Sequence, residues 1–186
     1  MTRLFIALSI DDQVRSFLRP VYDHLCKFDF MLKVVPPENY HITLKFLGNC
    51  DDNLTAETEK AFLDVKIKKD KIPFNLSGIG AFPNIKKANV IWTGLKTDIK
   101  KLELLYNSIE MFTSGLGFKE ENRQFQPHLT LARTRKGRRI TDDLYKFIKD
   151  NNSVYFGNSF FHKIVLYSSK ITPQGPIYTE RKSIDL

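Results

Sequence analysis

Hydrophobic and polar positions alternate at two different periods along this chain, and each period predicts a different element. Residues 3–10 alternate at every second position, as a strand does. Apolar residues then recur at helical spacing from position 14 to position 25, and Asp11 or Asp12 can cap the helix that this spacing predicts. Pro20 lies inside the pattern, so we expect it to kink or shorten that helix.

The rest of the chain divides into strands and helices in the same way. We predict strands at 32–35, 72–82, 88–95, 163–168 and 177–184, two more that contain His41 and His128, helices at 54–65, 99–116 and 142–149, and turns at 36–39, 83–84 and 172–176. Helices alternate with strand pairs, and no glycine-rich phosphate loop lies between a strand and a helix. This order favours an antiparallel α+β fold over a doubly wound parallel sheet.

The predicted elements also repeat along the chain. The order strand, helix, strands, helix occurs twice, although the two halves barely align outside two tetrapeptides. No linker is long enough to separate the halves. We therefore predict one domain over residues 1–186, built from two similar lobes.

Composition narrows the functional classes. Apolar residues make up 42% of the chain, which indicates a globular core, and the net charge of +8 favours a partner that carries phosphate without proving that one exists. The two cysteines have no CxxC spacing, so neither a disulfide framework nor a cysteine-rich zinc site is indicated. The first apolar run stops at two aspartates, and no run approaches the roughly 18 residues of a membrane helix. We expect a cytoplasmic monomer without a membrane segment.

Two stretches share the pattern His-apolar-Thr-Leu, HITL at 41–44 and HLTL at 128–131. In a strand, this pattern puts the histidine and the threonine on one face and anchors the other face in a core. Strict alternation adds Lys45 to the polar face of the first stretch and places Phe46 on the opposite face. From composition, two of four histidines would be followed by apolar-Thr-apolar by chance on the order of once in a thousand sequences.

Paired histidines suit displacement at phosphorus. One neutral ring can take a proton from an attacking water, while a protonated ring gives one to the departing oxygen. Threonine hydroxyls can donate to phosphoryl oxygens, and Arg133, just past the second stretch, is the candidate cation. A zinc site is the alternative chemistry, but its usual third ligand and its usual spacing are absent from the pattern. His24 and His162 lack the threonine and are interpreted as structural.

The chain resembles the two-histidine phosphoesterases. Within that superfamily it is most similar to the bacterial and archaeal RNA 2′,3′-cyclic phosphodiesterases, also called 2′-5′ RNA ligases. The resemblance extends over nearly the whole chain. It rests on RLFIA at 3–7, PPENYHITLKFLG at 36–48, GAFP at 80–83, PHLTLAR at 127–133, VLYSS at 165–169 and GPIY at 175–178. A small departure is Tyr40, where an apolar residue such as leucine is common.

The resemblance implies a bilobal α+β fold with a central cleft and one motif from each lobe. It also implies hydrolysis of terminal 2′,3′-cyclic phosphates on RNA to 2′-phosphates, without metal or cofactor, and a reverse reaction that joins RNA ends through a 2′-5′ bond. By motif, His41 would be the proton donor to the leaving 3′-oxygen and His128 the proton acceptor. Thr43 and Thr130 would hold phosphate oxygens, with Arg133 assisting.

Some features remain open at this stage. The basic segment 133–139 could hold RNA at the rim of the cleft or could be a solvated loop. Phe46 and Trp92 could stack on a base or belong to the core. The substrate could be a smaller cyclic nucleotide, and a binding module without turnover is the alternative from another functional class.

Overall fold

The computed structural model describes residues 1–122, 124–172 and 175–186, and these ranges form two antiparallel sheets and four helices. The strands are β1 (Thr2–Ser9), β2 (Leu32–Val34), β3 (His41–Cys50), β4 (Ile72–Phe82), β5 (Val90–Thr97), β6 (His128–Thr134), β7 (Tyr155–Phe161), β8 (Lys163–Thr172) and β9 (Gly175–Asp185). The helices are α1 (Asp12–Cys26), α2 (Asp52–Phe62), α3 (Ile99–Gly115) and α4 (Asp142–Asp150). The α+β prediction is confirmed. The turn predicted at 172–176 includes residues 173 and 174, which lie outside the described residues.

Each lobe is one sheet, and each sheet draws strands from both halves of the chain. The first lobe has the order β3-β1-β8-β9, so the first and the last strands of the chain belong to the same sheet. The second lobe has the order β2-β6-β5-β4-β7. The predicted hairpin of β4 and β5 is confirmed. Because β2 and β3 are consecutive but belong to different sheets, the short segment between them joins the two lobes.

Helix α1 shows how local sequence sets an element. The carboxylate of Asp11 accepts a hydrogen bond from the backbone N–H of Val14 at 2.9 Å, which caps the first turn. Its buried side chains recur at helical spacing and end with Leu25. Pro20 does not shorten the helix, which continues to Cys26. The apolar stripe on both sides of the proline keeps the last turns packed on the core.

Strand β7 is the element that the sequence pattern did not predict. Its inward positions are Gly157, Ser159 and Phe161, so hydrophobic alternation is largely absent. The glycine is required by packing, because a Cβ atom there would lie 2.3 Å from a ring carbon of Phe17 on α1. The close approach of α1 to the strand therefore replaces the apolar side chain that would have marked it.

The apolar core lies on one face of each sheet and leaves the other face to the cleft. Ile42 and Leu44 of β3 and Leu129 and Leu131 of β6 are buried in a single cluster that includes residues from both sheets and the helices. The histidines of the two motifs lie on the opposite faces, as the alternation predicts. Across the described ranges, no helix combines the length and the apolar character needed to span a membrane.

Candidate active site

A β-bulge in β3 decides which side chains reach the cleft. Ala7 of β1 pairs with Thr43 and the preceding Ile6 pairs with Lys45, so Leu44 has no partner of its own. The alternation therefore shifts by one position after Leu44. Lys45 is buried, whereas strict alternation placed it on the face that carries His41 and Thr43. Phe46 is 61% exposed and lines the cleft, whereas strict alternation placed it on the opposite face.

Strand β6 contains the same bulge at the equivalent position. Trp92 of β5 pairs with Thr130 and the preceding Ile91 pairs with Ala132, so Leu131 is the extra residue. The bulge turns Arg133 to the face that carries His128 and Thr130. Arg133 is thus a residue of β6, whereas the sequence pattern predicted that it lies just past the strand. Arg133 in one lobe and Phe46 in the other occupy equivalent positions.

The two motif histidines are anchored in the same way. Nδ1 of His41 lies 2.7 Å from the carbonyl oxygen of Asn39, and Nδ1 of His128 lies 2.7 Å from that of Gln126. A carbonyl oxygen only accepts hydrogen bonds, so Nδ1 of each ring donates to it. This assigns the proton of the neutral ring to Nδ1 and leaves Nε2 to exchange a proton with a ligand.

Aromatic side chains hold both imidazole rings from the side. In the first lobe, the ring of Tyr178 meets that of His41 almost edge-on, at 88° and 5.3 Å between centroids, and Phe5 lies at 5.0 Å. In the second lobe, Phe82 meets His128 at 86° and 5.0 Å. These contacts restrict rotation of the rings, so both histidines are positioned before any ligand binds.

Burial and a nearby cation lower the pKa values of the two motif histidines. Burial lowers the pKa of His41 and of His128, and the positive charge of Arg133 lowers both further. A charge on His128 also lowers the pKa of His41, which shows that the two rings interact across the cleft. The backbone hydrogen bonds act in the opposite direction and only partly offset burial. A bound anion would raise both pKa values.

The cleft between the lobes contains a cavity of about 880 Å³. Thr43 and His128 line it from opposite lobes, together with Phe46 and Phe82. The segment that connects α3 to β6 forms another wall and contributes polar, aromatic and charged side chains of both signs, namely Lys119, Glu120, Glu121, Asn122, Gln124, Phe125 and Gln126. The structure therefore brings the two motifs to one cleft, and Arg133 lies within electrostatic range of both histidines.

Trp92, His24 and His162, which the sequence analysis also considered, pack against other parts of the protein. Trp92 packs over Gly80 and against Phe82, with ring centroids 5.0 Å apart. His24 stacks on the ring of Phe147, and His162 lies 3.8 Å from the carboxylate of Asp11, so neither belongs to the cleft.

The basic segment 133–139 contains residues of different kinds. Arg135 is structural, since its Nε donates to the carbonyl oxygens of Asp29 and Leu32 at 2.9 and 3.1 Å. The other four basic side chains of the segment are exposed, at Arg133, Lys136, Arg138 and Arg139. Among the described residues, no three His, Cys, Asp or Glu side chains converge as a metal-ligand group.

Comparison with known proteins identifies related chains over nearly the full length. The chain is 35% identical over 179 residues to the RNA 2′,3′-cyclic phosphodiesterase of Archaeoglobus fulgidus, a match that covers 96% of this chain and 97% of the relative. It is 33% identical over 178 residues to the protein of the same name from Methanothermobacter thermautotrophicus, with 96% and 95% covered.

Solved structures share the fold. The crystal structure of TT0787 from Thermus thermophilus superposes with a TM-score of 0.79 at 24% identity and covers 99% of this chain and 97% of its own. The E. coli LigT structure in complex with 3′-AMP superposes with a TM-score of 0.75 at 22% identity, with 100% and 98% covered. These likenesses confirm the predicted bilobal architecture.

One family matches the chain twice in tandem, at residues 8–92 and at residues 95–178, and its description is LigT like Phosphoesterase. Each match contains one His-x-Thr motif, in agreement with the repeated order of elements seen in the sequence. The resemblance indicated by the sequence is therefore confirmed: the chain belongs to the LigT-like phosphoesterase family.

Proposed function

We propose that this protein hydrolyses the 2′,3′-cyclic phosphate at the end of an RNA to a 2′-phosphomonoester, with His41 and His128 as the acid–base pair. The observation that carries the proposal is the pair itself: two imidazoles on opposite lobes are each anchored through Nδ1 to a backbone carbonyl, and their motifs meet at one cleft, which Thr43 of the first motif and His128 of the second line. Similarity over nearly the full length to chains named RNA 2′,3′-cyclic phosphodiesterase supports the reaction and the substrate class.

The proposed reaction transfers two protons and breaks one bond. Neutral His128 accepts a proton from water at Nε2 while the water oxygen attacks phosphorus. The bond from phosphorus to the 3′-oxygen breaks, and protonated His41 gives its Nε2 proton to that oxygen. One water is consumed, the phosphate stays on the 2′-oxygen, and proton exchange with solvent resets both rings.

Other groups of the site would stabilise the charge that develops on phosphorus. Thr43 and Thr130 lie two residues after the histidines on the same strand faces, so their hydroxyls can donate to the non-bridging oxygens. Arg133 offers a positive charge on the same side of β6, and the described residues place no carboxylate within ion-pair distance of it. Its charge is therefore available to the substrate.

The remaining features of the proposal come from the sequence. A 5′-hydroxyl in place of water would give a 2′-5′ linkage, so the same groups could catalyse ligation. A single domain over residues 1–186 is supported by the apolar core that both sheets share. Monomeric state, cytoplasmic location and activity without metal or cofactor stay predictions.

The test uses the EDTA-treated protein and a short RNA that ends in a 2′,3′-cyclic phosphate. We expect a 2′-phosphate, identified by mass and by isomer mapping, and a loss of turnover by about two to four orders of magnitude in His41→Ala and in His128→Ala. His162→Ala is the matched control, because this histidine is outside the cleft. RNA binding without turnover would contradict the proposal and favour a binding module, and turnover confined to mononucleotides would contradict the RNA substrate.

A further inference from the structure

The cleft has two chemically different ends. At the Phe46 end, the walls are aromatic and carry charges of both signs, with Tyr106 stacked on Phe125 at 4.4 Å and with Lys119 and Glu120 among the lining residues. The other end, called the basic end, is defined by Arg133, which lies within electrostatic range of His41 and of Tyr178. A phosphate chain that leaves the catalytic centre meets charges of both signs at the first end and cations at the second, so the second end attracts it more strongly.

Lys33 adds a second cation to the basic end from the neighbouring strand, β2. It is directly paired with Arg133 in the antiparallel ladder between β2 and β6. Directly opposed residues of such a ladder point to the same face of the sheet, with Cα atoms about 4.5–5.5 Å apart. The neighbours Leu32 and Val34 face the other way, towards the core. Lys33 therefore stands beside Arg133 on the face that carries the catalytic motif.

The ammonium group of Lys33 is available to an anion. The side chain is exposed, and within the described ranges no carboxylate lies at ion-pair distance from it. Arg3 of the first lobe lies within electrostatic range of Tyr178, as Arg133 does, so the basic end is bordered by cations from both lobes. Two adjacent cations on one face of the sheet match two adjacent phosphates on one RNA strand.

We propose that Lys33 binds the phosphodiester one nucleotide upstream of the reacting cyclic phosphate. Arg133 serves the reacting phosphate, and Lys33 serves the next one, so the protein favours an RNA end over a cyclic mononucleotide. This inference rests on the proposed function and adds to it the direction in which the RNA strand leaves the cleft. No sequence motif singles out Lys33, because its neighbour Arg133 is about a hundred residues away in the chain.

The experiment compares 2′,3′-cyclic AMP with the trinucleotide AAA that ends in a 2′,3′-cyclic phosphate. The readout is the ratio of kcat/KM for the trinucleotide to kcat/KM for the mononucleotide. We expect Lys33→Ala to lower this ratio about three- to tenfold, and Lys33→Arg to keep it near the wild-type value. The slope of log kcat/KM for the trinucleotide against log salt should become shallower by about 0.7 in Lys33→Ala. Lys149→Ala is the matched control, because this exposed lysine lies in the last turn of α4, which packs on the core side of the sheet.

A second substrate identifies the phosphate. In it, the linkage upstream of the cyclic end is a neutral methylphosphonate. On this substrate, we expect kcat/KM of the wild-type protein to fall by the same factor by which Lys33→Ala lowers kcat/KM for the normal trinucleotide. For Lys33→Ala, we expect the methylphosphonate to cause no further fall in kcat/KM. Independent, multiplicative losses, or an unchanged ratio in Lys33→Ala, would overturn the inference. Absence of turnover of both unmodified substrates by the wild-type protein would instead overturn the proposed function.

Discussion

Replacement of Lys45 by methionine is expected to lower the free energy of unfolding by about 3 kcal/mol. The bulge at Leu44 buries Lys45 so that its side chain is only 5% exposed, and its Nζ lies 2.6 Å from a carboxylate oxygen of Glu110 on α3. The same nitrogen donates to the carbonyl oxygen of Lys119 at 2.8 Å. One buried ammonium thus joins β3, α3 and the segment that forms a wall of the cleft.

The magnitude follows from what the substitution leaves behind. Methionine preserves the apolar stem, but Glu110 becomes a carboxylate without its cation. Loss of one partner of a buried pair typically costs about 3–5 kcal/mol. The side chain of Glu110 is 16% exposed, so water can partly solvate it and the cost belongs at the low end of that range. Removal of both charges in Lys45→Met/Glu110→Leu should recover most of the loss.

The assay is equilibrium unfolding in urea, in which the midpoint falls at constant slope when stability alone changes. The matched control is Lys146→Met. Lys146 forms an ion pair with Asp150 on α4, but the two side chains are 75% and 53% exposed, so the change should cost less than about 1 kcal/mol. A loss below about 1 kcal/mol in Lys45→Met, or a double variant no more stable than the single one, would refute the reasoning.

Three further outcomes are expected. The profile of kcat/KM against pH should be bell-shaped, because acid protonates the base His128 and alkali deprotonates the acid His41. Its optimum should lie below pH 6.5, since the pKa values of both histidines are lowered from that value. Phe46→Ala should raise KM for RNA about tenfold with little change in kcat, since an exposed ring in the cleft can stack on a base. Gly80→Ala should destabilise the fold by about 2 kcal/mol in urea unfolding, because its Cβ would lie 2.4 Å from a ring carbon of Trp92.

Each of these outcomes has a control or a contrary result. Arg133→Gln removes a cation that lowers both histidine pKa values, so the pH optimum should move upward; an unmoved optimum would exclude that influence. Phe46→Trp should keep KM near the wild-type value, and equal effects of both Phe46 variants would contradict stacking. Gly115→Ala places its Cβ in open space at the end of α3, so a loss as large as that of Gly80→Ala would contradict the steric explanation.

Low pH should also weaken the fold through the same histidines. Their pKa values are lower in the folded protein than in the unfolded chain, so the unfolded state binds protons more readily. Stability should therefore fall as the pH drops below about 6.5 and should level off below the folded-state pKa values. His41→Ala/His128→Ala should reduce this dependence in urea titrations at several pH values.

The motif histidines could be predicted from sequence because their information is local and repeated. Alternation within four residues fixes which face His41 and His128 share with their threonines, and repetition makes chance a poor explanation. The strand and helix pattern around them was also sufficient for the α+β class. Strand β7 was missed, since Gly157 takes an inward position for the sake of a helix that is more than a hundred residues away in the chain.

The rest of the site depends on pairing between distant segments. A bulge exists only relative to a partner strand, so the register of β1 against β3 is needed to see that Phe46 turns to the cleft and Lys45 to the interior. The burial of Lys45 is equally invisible in sequence, because Glu110 lies 65 residues away. In both strands the extra residue of the bulge is the leucine after the threonine, and this leucine and the next residue, Leu44-Lys45 and Leu131-Ala132, are buried together.

The most direct test concerns the roles of the two histidines. The substrate is an RNA end whose cyclic phosphate carries sulfur in place of the bridging 3′-oxygen, a leaving group that departs without protonation. We expect this substrate to restore turnover largely in His41→Ala, which lacks the acid, and not in His128→Ala, which lacks the base. Rescue of His128→Ala, of both variants or of neither would contradict the assignment of His41 as the proton donor and His128 as the proton acceptor.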